Sequence, residues 1–155
     1  MIQNVKKILA PIDFSEYSMQ ALRGAWELAR DVGAELHLLH VVVPEHNFLP
    51  LLLARDAESA REMAREAALS EQADEELRQI KKDQLENSNK VKVASAIGAP
   101  VPEIDKYAKE QNIDLIVLST HGRTGIGHAL IGHVAEKLVR QTSSSVLVLR
   151  ARQAA

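Results

Sequence analysis

The chain has 155 residues, 46% hydrophobic and 3% aromatic; a domain of this size buries about two-thirds of its unfolded surface, here chiefly as Val, Leu, Ile and Ala. Nineteen basic against 21 acidic residues leave a formal net charge of −2, which excludes the electrostatic footprint of a nucleic-acid binder, and no local run of Lys and Arg restores one. With no cysteine, disulfides and thiol catalysis are excluded; the N-terminus lacks signal-peptide character and no apolar run reaches about 18 residues, so a cytoplasmic protein with no membrane partner is expected.

Ile8 to Asp13 reads as a first strand that ends on a carboxylate. Ser15 to Val32 follows as a helix, with Leu22, Ala25, Ala29 and Val32 at helical spacing and Gly33 placed to end it. Glu35 to Val43 is a second, mostly apolar strand, closed by Pro44. A long polar helix is expected from Ala57 to Leu85, with a narrow stripe of Leu69, Ala73, Leu77 and Ile80 and exposed pairs such as Asp74 with Arg78. Its interspersed charges mark it as solvated surface rather than a helix lying on a membrane. Val91 to Ile97 is a third strand; Gly98-Ala99-Pro100 then turns into a helix over Val101 to Gln111, with Pro102 suited to its first turn. Leu115 to Leu118 forms the fourth strand, an amphipathic helix runs from His128 to Gln141, and Val146 to Leu149 is the fifth strand.

Almost continuously apolar strands alternating with helices predict an α/β fold: a Rossmann-like parallel sheet with helices on both faces. No repeat and no Gly/Ser/Pro linker divides the chain, so residues 1–155 are read as one domain. Ligands of such sheets bind outside the carboxyl ends of the strands, where strand order reverses. Two strands end in chemistry, the first at Asp13 and the fourth at Ser119 to Gly122. The apolar fifth strand, placed at an edge, would need a partner, which points to a homodimer.

The stretch Leu115 to Gly127 joins an apolar strand to a glycine loop and a helix N-terminus, a recurrent anion-binding arrangement. A phosphate-bearing small ligand, first of all a nucleotide, is therefore expected. The bland alternative is a strand–helix connection that needs glycine for its turns. Gly122 and Gly127 have the outer spacing of a P-loop, but His128 and Ala129 replace its Lys and Ser/Thr, and Leu130 stands where G-x-G-x-x-G would require glycine. Both features argue against a P-loop NTPase and a dinucleotide-dependent dehydrogenase. Asp13 is suited to accept from ribose hydroxyls, and Asp13 or Ser15 equally suited to cap the next helix. Ser119 and Thr120 offer hydroxyls; Arg123 is either a phosphate partner or a solvated loop residue.

His37 and His40 are three apart on a strand and point to opposite faces, while His128 and His133 are five apart on a helix. Without cysteine or H-E-x-x-H, no metal site is expected. His121 is assigned to ordering its turn. No G-x-S-x-G elbow is present, and no catalytic residue is identified. The apolar run Phe48 to Leu53 is read as packing onto the domain, with the crevice or a partner as alternatives.

Taken together, these segments resemble the universal stress protein (UspA-like) family. The resemblance covers nearly the whole chain: Ile8 to Ser15, Leu39 to Val42, Gly98-Ala99-Pro100, then Ser119-Thr120-His121-Gly122-Arg123-Thr124-Gly125, Gly132 to Lys137 and Ser145 to Leu149. It implies five parallel strands in the order 3-2-1-4-5 and a homodimer through antiparallel pairing of the last strands, Val146 to Leu149. One branch of the family binds ATP through Gly-x-x-Gly, nine residues, Gly, then Ser or Thr. Here Gly122 and Gly132 keep the nine-residue spacing, Ser119 replaces the first glycine and His133 the final hydroxyl residue. The resemblance implies that Pro11, Ile12, Asp13 and Val41 hold adenine and ribose, and that Leu118, Gly122, Gly132, His133 and Val134 line the phosphates and remaining walls, with Ser119 and Arg123 beside them. The implied function is a dimeric, adenine-nucleotide-binding regulatory module of the stress response, taking ATP with or without Mg²⁺. A nucleotide-free interaction scaffold and a slow ATPase are the alternatives.

Overall fold

Strands that are apolar on both sides can satisfy their backbones and bury both faces only inside a covered parallel sheet, and that is their arrangement in the computed structural model, which describes residues 4–45, 56–121 and 132–150. The strands are β1 (Lys7–Pro11), β2 (Glu35–Val42), β3 (Val91–Ile97), β4 (Leu115–Ser119) and β5 (Ser145–Leu149), in the order β3-β2-β1-β4-β5. All four pairings are parallel, with Ile8 beside both Leu36 and Leu115, Leu38 beside Val93, and Val117 beside Leu147. Between them run α1 (Glu16–Val32), α2 (Ala57–Gln84), α3 (Pro100–Glu110) and α4 (His133–Gln141).

Side-chain alternation along the strands divides the core in two. On one face Ile8, Ala10, Ile12, Leu36, Leu38, Leu115 and Val117 pack under Leu22, Ala25 and Ala29 of α1 and Leu77 and Ile80 of α2. On the other, Leu9, Leu39, Ile116 and Leu118 pack under Val101, Ile104 and Ala108 of α3 and Ala135 and Leu138 of α4. Helices thus cover both faces, as the strand composition predicts. The helix ends carry their own signals: Ser15 Oγ accepts from the Ser18 N–H at 3.2 Å, Asp56 from that of Ser59 at 2.7 Å, and Gly33 closes α1 in the left-handed region at φ 72°.

Several sequence-based boundaries move. β1 closes at Pro11, which leaves Asp13 in the turn before α1 rather than on the strand. Val32, expected on the buried stripe of α1, is 50% exposed. On α2, Arg78 pairs with Glu75 at 3.1 Å, one residue nearer than a pairing with Asp74. α4 starts at His133, not His128: Gly132 is extended (φ −68°, ψ 160°) and serves as the N-cap, so a helix cannot run through it. Phe48 to Leu53 lies outside the described residues. Among the described residues no helix is long and apolar enough to cross a membrane.

One polar side chain is fully buried near the amino end of this sheet. His37 is 0% exposed on the α3 face, its Nδ1 2.9 Å from Tyr107 Oη and its Nε2 2.6 Å from Glu35 Oε1, which Lys92 Nζ also reaches at 3.1 Å. Burial holds the imidazole below its ordinary pKa, against the opposing pull of Glu35. Burial also acts to raise Glu35, but the hydrogen bonds from His37 and Lys92 outweigh it and keep that carboxylate low. A neutral His37 donates Nε2–H to Glu35 and accepts the Tyr107 hydroxyl at Nδ1, which satisfies every buried polar atom of the ring.

This arrangement fixes the sign of a pH effect. Unfolded His37 takes up a proton near its ordinary value of about 6.5, whereas the folded ring resists it, so the stabilisation is complete above that pH and is lost as pH falls below it. Urea unfolding between pH 7.5 and 5 is expected to show falling stability, with a His37 contribution of at most about 1.4 kcal/mol per pH unit. His37→Gln, which keeps a donor and an acceptor without titrating, should flatten the slope; an unchanged slope would assign it to other groups.

Candidate functional site

In the order 3-2-1-4-5 the chain crosses from β1 to β2 on one side, while β4 pairs on the other, so the sheet's reversal lies between β1 and β4. Outside their carboxyl ends is a cavity of about 810 Å³. Nine of the eleven residues assigned to the ligand line it: Pro11 at the end of β1 with Ile12 and Asp13 after it, Val41 from β2, Leu118 and Ser119 from β4, and Gly132, His133 and Val134 at the start of α4. Gly122 and Arg123 lie outside the described residues.

Local hydrogen bonds set the β1 side. Asp13 Oδ1 accepts from the Ser15 N–H at 3.0 Å, and the Asp13 N–H points to Ser18 Oγ at 3.3 Å. Ser15 carries out the capping of α1, and Asp13 lines the cavity. Phe14, at φ 62°, turns the chain sharply and lays its ring 4.5 Å from that of His40. His40 Nδ1 is 2.8 Å from Ile12 O, an arrangement in which the ring nitrogen donates and ties the end of β2 to that of β1.

A backbone clasp sets the opposite side. The Thr120 N–H bonds Leu149 O at 3.0 Å, prolonging the β4–β5 ladder, and the Thr120 carbonyl accepts the N–H of Gly132. A Cβ on Gly132 would stand 3.0 Å from that same oxygen, a crowded contact, so glycine is favoured here by close approach rather than by its torsion angles. Thr120 Oγ1 contacts His121 Nδ1 at 2.9 Å, and the His121 ring lies 5.6 Å from that of Tyr17. His121 also lines the cavity, and the glycine loop that follows it lies outside the described residues. Gly132 has no side chain with which to cap α4. The first-turn N–H groups of His133, Val134 and Ala135 therefore lack intrahelical partners at the cavity wall, whereas the Glu136 N–H bonds Gly132 O at 3.0 Å.

The remaining wall was not anticipated. α2 supplies Leu69, Gln72, Ala73 and Glu76, and α3 supplies Pro100 and Ile104. Leu69 belongs to the apolar stripe read from the sequence yet is 40% exposed, because it faces the cavity and not the core. That stripe was the available signal; the surrounding charges obscured it. The floor of Ile12, Leu39, Val41, Leu118 and Ile104 is apolar, and the rim carries Asp13, Glu76 and Glu136 together with His40, His121 and His133. Apolar walls with a few convergent polar groups are the ordinary make-up of a small-molecule site. Among the described residues no three His, Cys, Asp or Glu side chains come close enough to hold a metal ion.

A family model described as the universal stress protein family matches residues 4–150. Among curated proteins, universal stress protein MJ0531 of Methanocaldococcus jannaschii is 34% identical over 146 residues, covering 94% of this chain and 82% of that one. Universal stress protein MJ0577 of the same organism is 33% identical over 153 residues and 94% of each chain. The solved structure of MJ0577, which had been a hypothetical protein given a structure-based assignment of biochemical function, superposes with a TM-score of 0.80 at 30% identity over 97% of this chain and 99% of that one. A universal stress protein in complex with cAMP shares the fold at 20% identity, with a TM-score of 0.60 over 95% and 98% of the two chains.

The clasp makes a direct demand on stability. Gly132→Ala places a methyl group against a backbone oxygen that cannot rotate away, and is expected to cost about 1–3 kcal/mol in urea unfolding, the usual range for overpacking. An unchanged midpoint would show that the start of α4 shifts freely and that the close approach is not a constraint.

Proposed function

Because the chain belongs to the universal stress protein family, we propose that the cavity at the carboxyl ends of β1, β2 and β4 takes an adenine nucleotide, ATP with or without Mg²⁺, and that the protein acts as a nucleotide-responsive regulatory module of the stress response. One observation carries the reading: Asp13 and the first-turn amides of α4, which have no partner within the helix, border the same cavity over an apolar floor. Each part suits a part of the ligand. Ile12, Val41 and Leu118 offer surface to a base, the Asp13 carboxylate accepts from ribose hydroxyls, and the amides of His133, Val134 and Ala135 favour a phosphate. Gly132, where a Cβ would be crowded by the Thr120 carbonyl, keeps that backbone close to the end of β4. Ser119 and Pro11 complete the wall, and Gly122 and Arg123 are assigned to the phosphate end by their place in the glycine pattern.

The proposal includes a cytoplasmic homodimer through β5. Among the described residues β5 pairs only with β4, and Leu147 is 38% exposed, a combination that favours a second strand along the edge. A nucleotide-free dimeric scaffold is the second reading, favoured by His133, whose ring stands at the phosphate end where the family pattern has a compact hydroxyl. Slow hydrolysis of ATP is a further outcome to be read from the same preparation.

Thermal melting of nucleotide-stripped protein with ATP and Mg²⁺ separates these readings. Ligand at about a hundred times its Kd adds about 2.7 kcal/mol, or about 5–10 °C for a chain of this size. A shift of that order is expected with ATP and ADP, absent with GTP and reduced in Asp13→Ala. No shift at millimolar nucleotide would leave the scaffold reading standing.

A further inference from the structure

An apolar floor can hold a flat base but cannot tell one base from another. That takes a polar atom whose hydrogen-bonding sense is fixed. At Ile12 the main chain supplies none: its N–H bonds Leu39 O at 2.9 Å, and its carbonyl faces His40 Nδ1 at 2.8 Å. Both polar backbone groups of Ile12 are thus paired, and the second pairing decides the state of the histidine. A carbonyl oxygen only accepts, so Nδ1 carries the proton, and the neutral ring keeps its lone pair at Nε2.

The Nε2 edge of that ring is open. Phe14 packs against the imidazole with ring centroids 4.5 Å apart, and Nδ1 is taken by Ile12. Among the described residues Nε2 has no hydrogen-bond partner, yet it is not one of the buried polar atoms left without one, so it is accessible where the ring lines the cavity. Strand alternation sets its place. Val41 packs on the core under α3 and α4, and His40, the residue before it, points to the opposite face of the sheet. The end of β2 therefore offers the cavity apolar surface on one side and an acceptor on the other, both beside Ile12. Gln72 and Glu76 reach the same cavity from α2 on side chains with more rotatable bonds, whereas the His40 ring is held by a hydrogen bond and a ring contact.

We infer that His40 is the residue that selects adenine: its Nε2 accepts from the exocyclic 6-amino group of a purine seated on Ile12 and Val41, and it opposes a base with a carbonyl at that position. The inference rests on the adenine-nucleotide reading of the cavity and adds the atom that makes the choice. Adenine carries an N–H donor on that edge, and guanine a carbonyl acceptor. With guanine, lone pair would meet lone pair across a desolvated contact, which costs more than the loss of one hydrogen bond. The Ile12 carbonyl makes the choice one-sided. A ring free to take its other tautomer would donate from Nε2 and would suit guanine as well as its present form suits adenine.

The test is a cycle that pairs two ligands with two proteins at about pH 8, where imidazole is ordinarily neutral. Kd is measured by calorimetry for ATP and for purine riboside triphosphate, which is ATP without its 6-amino group, in the wild-type protein and in His40→Asn. The Asn amide nitrogen takes the place of Nδ1, so the variant keeps a donor for Ile12 O and removes only Nε2. Wild-type protein should bind ATP about tenfold tighter than the amine-free analogue, the worth of one hydrogen bond, and GTP about a hundredfold more weakly than ATP. In His40→Asn, ATP and the analogue should bind with nearly equal Kd. Equal binding of the two by wild-type protein overturns the inference and leaves the nucleotide reading in place; that comparison needs no variant to fold. A preference for ATP retained in folded His40→Asn assigns the reading to main-chain groups and overturns the inference as well. Nucleotides that fail to bind wild-type protein at millimolar concentration overturn the nucleotide reading, and the choice of base with it.

Discussion

The parallel sheet covered on both faces is the constraint from which the rest follows. A residue at the centre of such a strand has apolar neighbours above and below and a backbone already paired on either side. Ile8, Leu9, Leu36, Leu38, Leu39 and Ile116 are fully buried there, and no reactive group fits among them without a partner. Chemistry is therefore displaced to strand ends, and the carboxyl ends of β1 and β4, which border the reversal, are where two connections leave room. Asp13, Ser119 and the start of α4 stand at one cavity because the topology allows them almost nowhere else.

His37 is the exception that shows the rule's terms. A buried imidazole is tolerated because Glu35 and Tyr107 satisfy both nitrogens, and Lys92 supports Glu35 from the neighbouring strand. The group lies at the amino end of the sheet, away from the cavity, where β2 begins. Glu66 on α2 is also buried, and among the described residues its Oε2 meets no hydrogen-bond partner.

Much of this was legible in the sequence, and the reasons differ by element. The strands were readable because near-continuous apolar runs of four to eight residues bounded by Gly and Pro have few other uses. Asp13 was readable because it sits at a junction between a strand and a helix, and Gly132 through its place in the family's glycine pattern. The wall formed by α2 was not, since a helix that borders a cavity presents a stripe too narrow and too interrupted to distinguish from solvated surface; Leu69 looks the same in sequence whether it covers core or ligand. The start of α4 was misplaced for a related reason. Residues 128–141 keep an amphipathic pattern throughout, and periodicity carries no mark of where backbone torsions change. The cap at Gly132 is fixed by its contact with Thr120, a tertiary fact.

The two departures from the family's glycine pattern have different physical weight. Ser119 lies within β4, paired beside Leu149, and its backbone is that of an ordinary strand residue. The position demands a small side chain at a buried strand end, not the torsional freedom of glycine, so serine satisfies it and even directs Oγ toward the His121 N–H at 3.4 Å. His133 alters chemistry rather than shape. Its backbone N–H keeps its place in the first turn of α4, so the part of the site made by main chain survives the substitution. What changes is the side chain beside it, from a compact hydroxyl to an imidazole ring. A site built from backbone amides can accept such a replacement without losing its geometry.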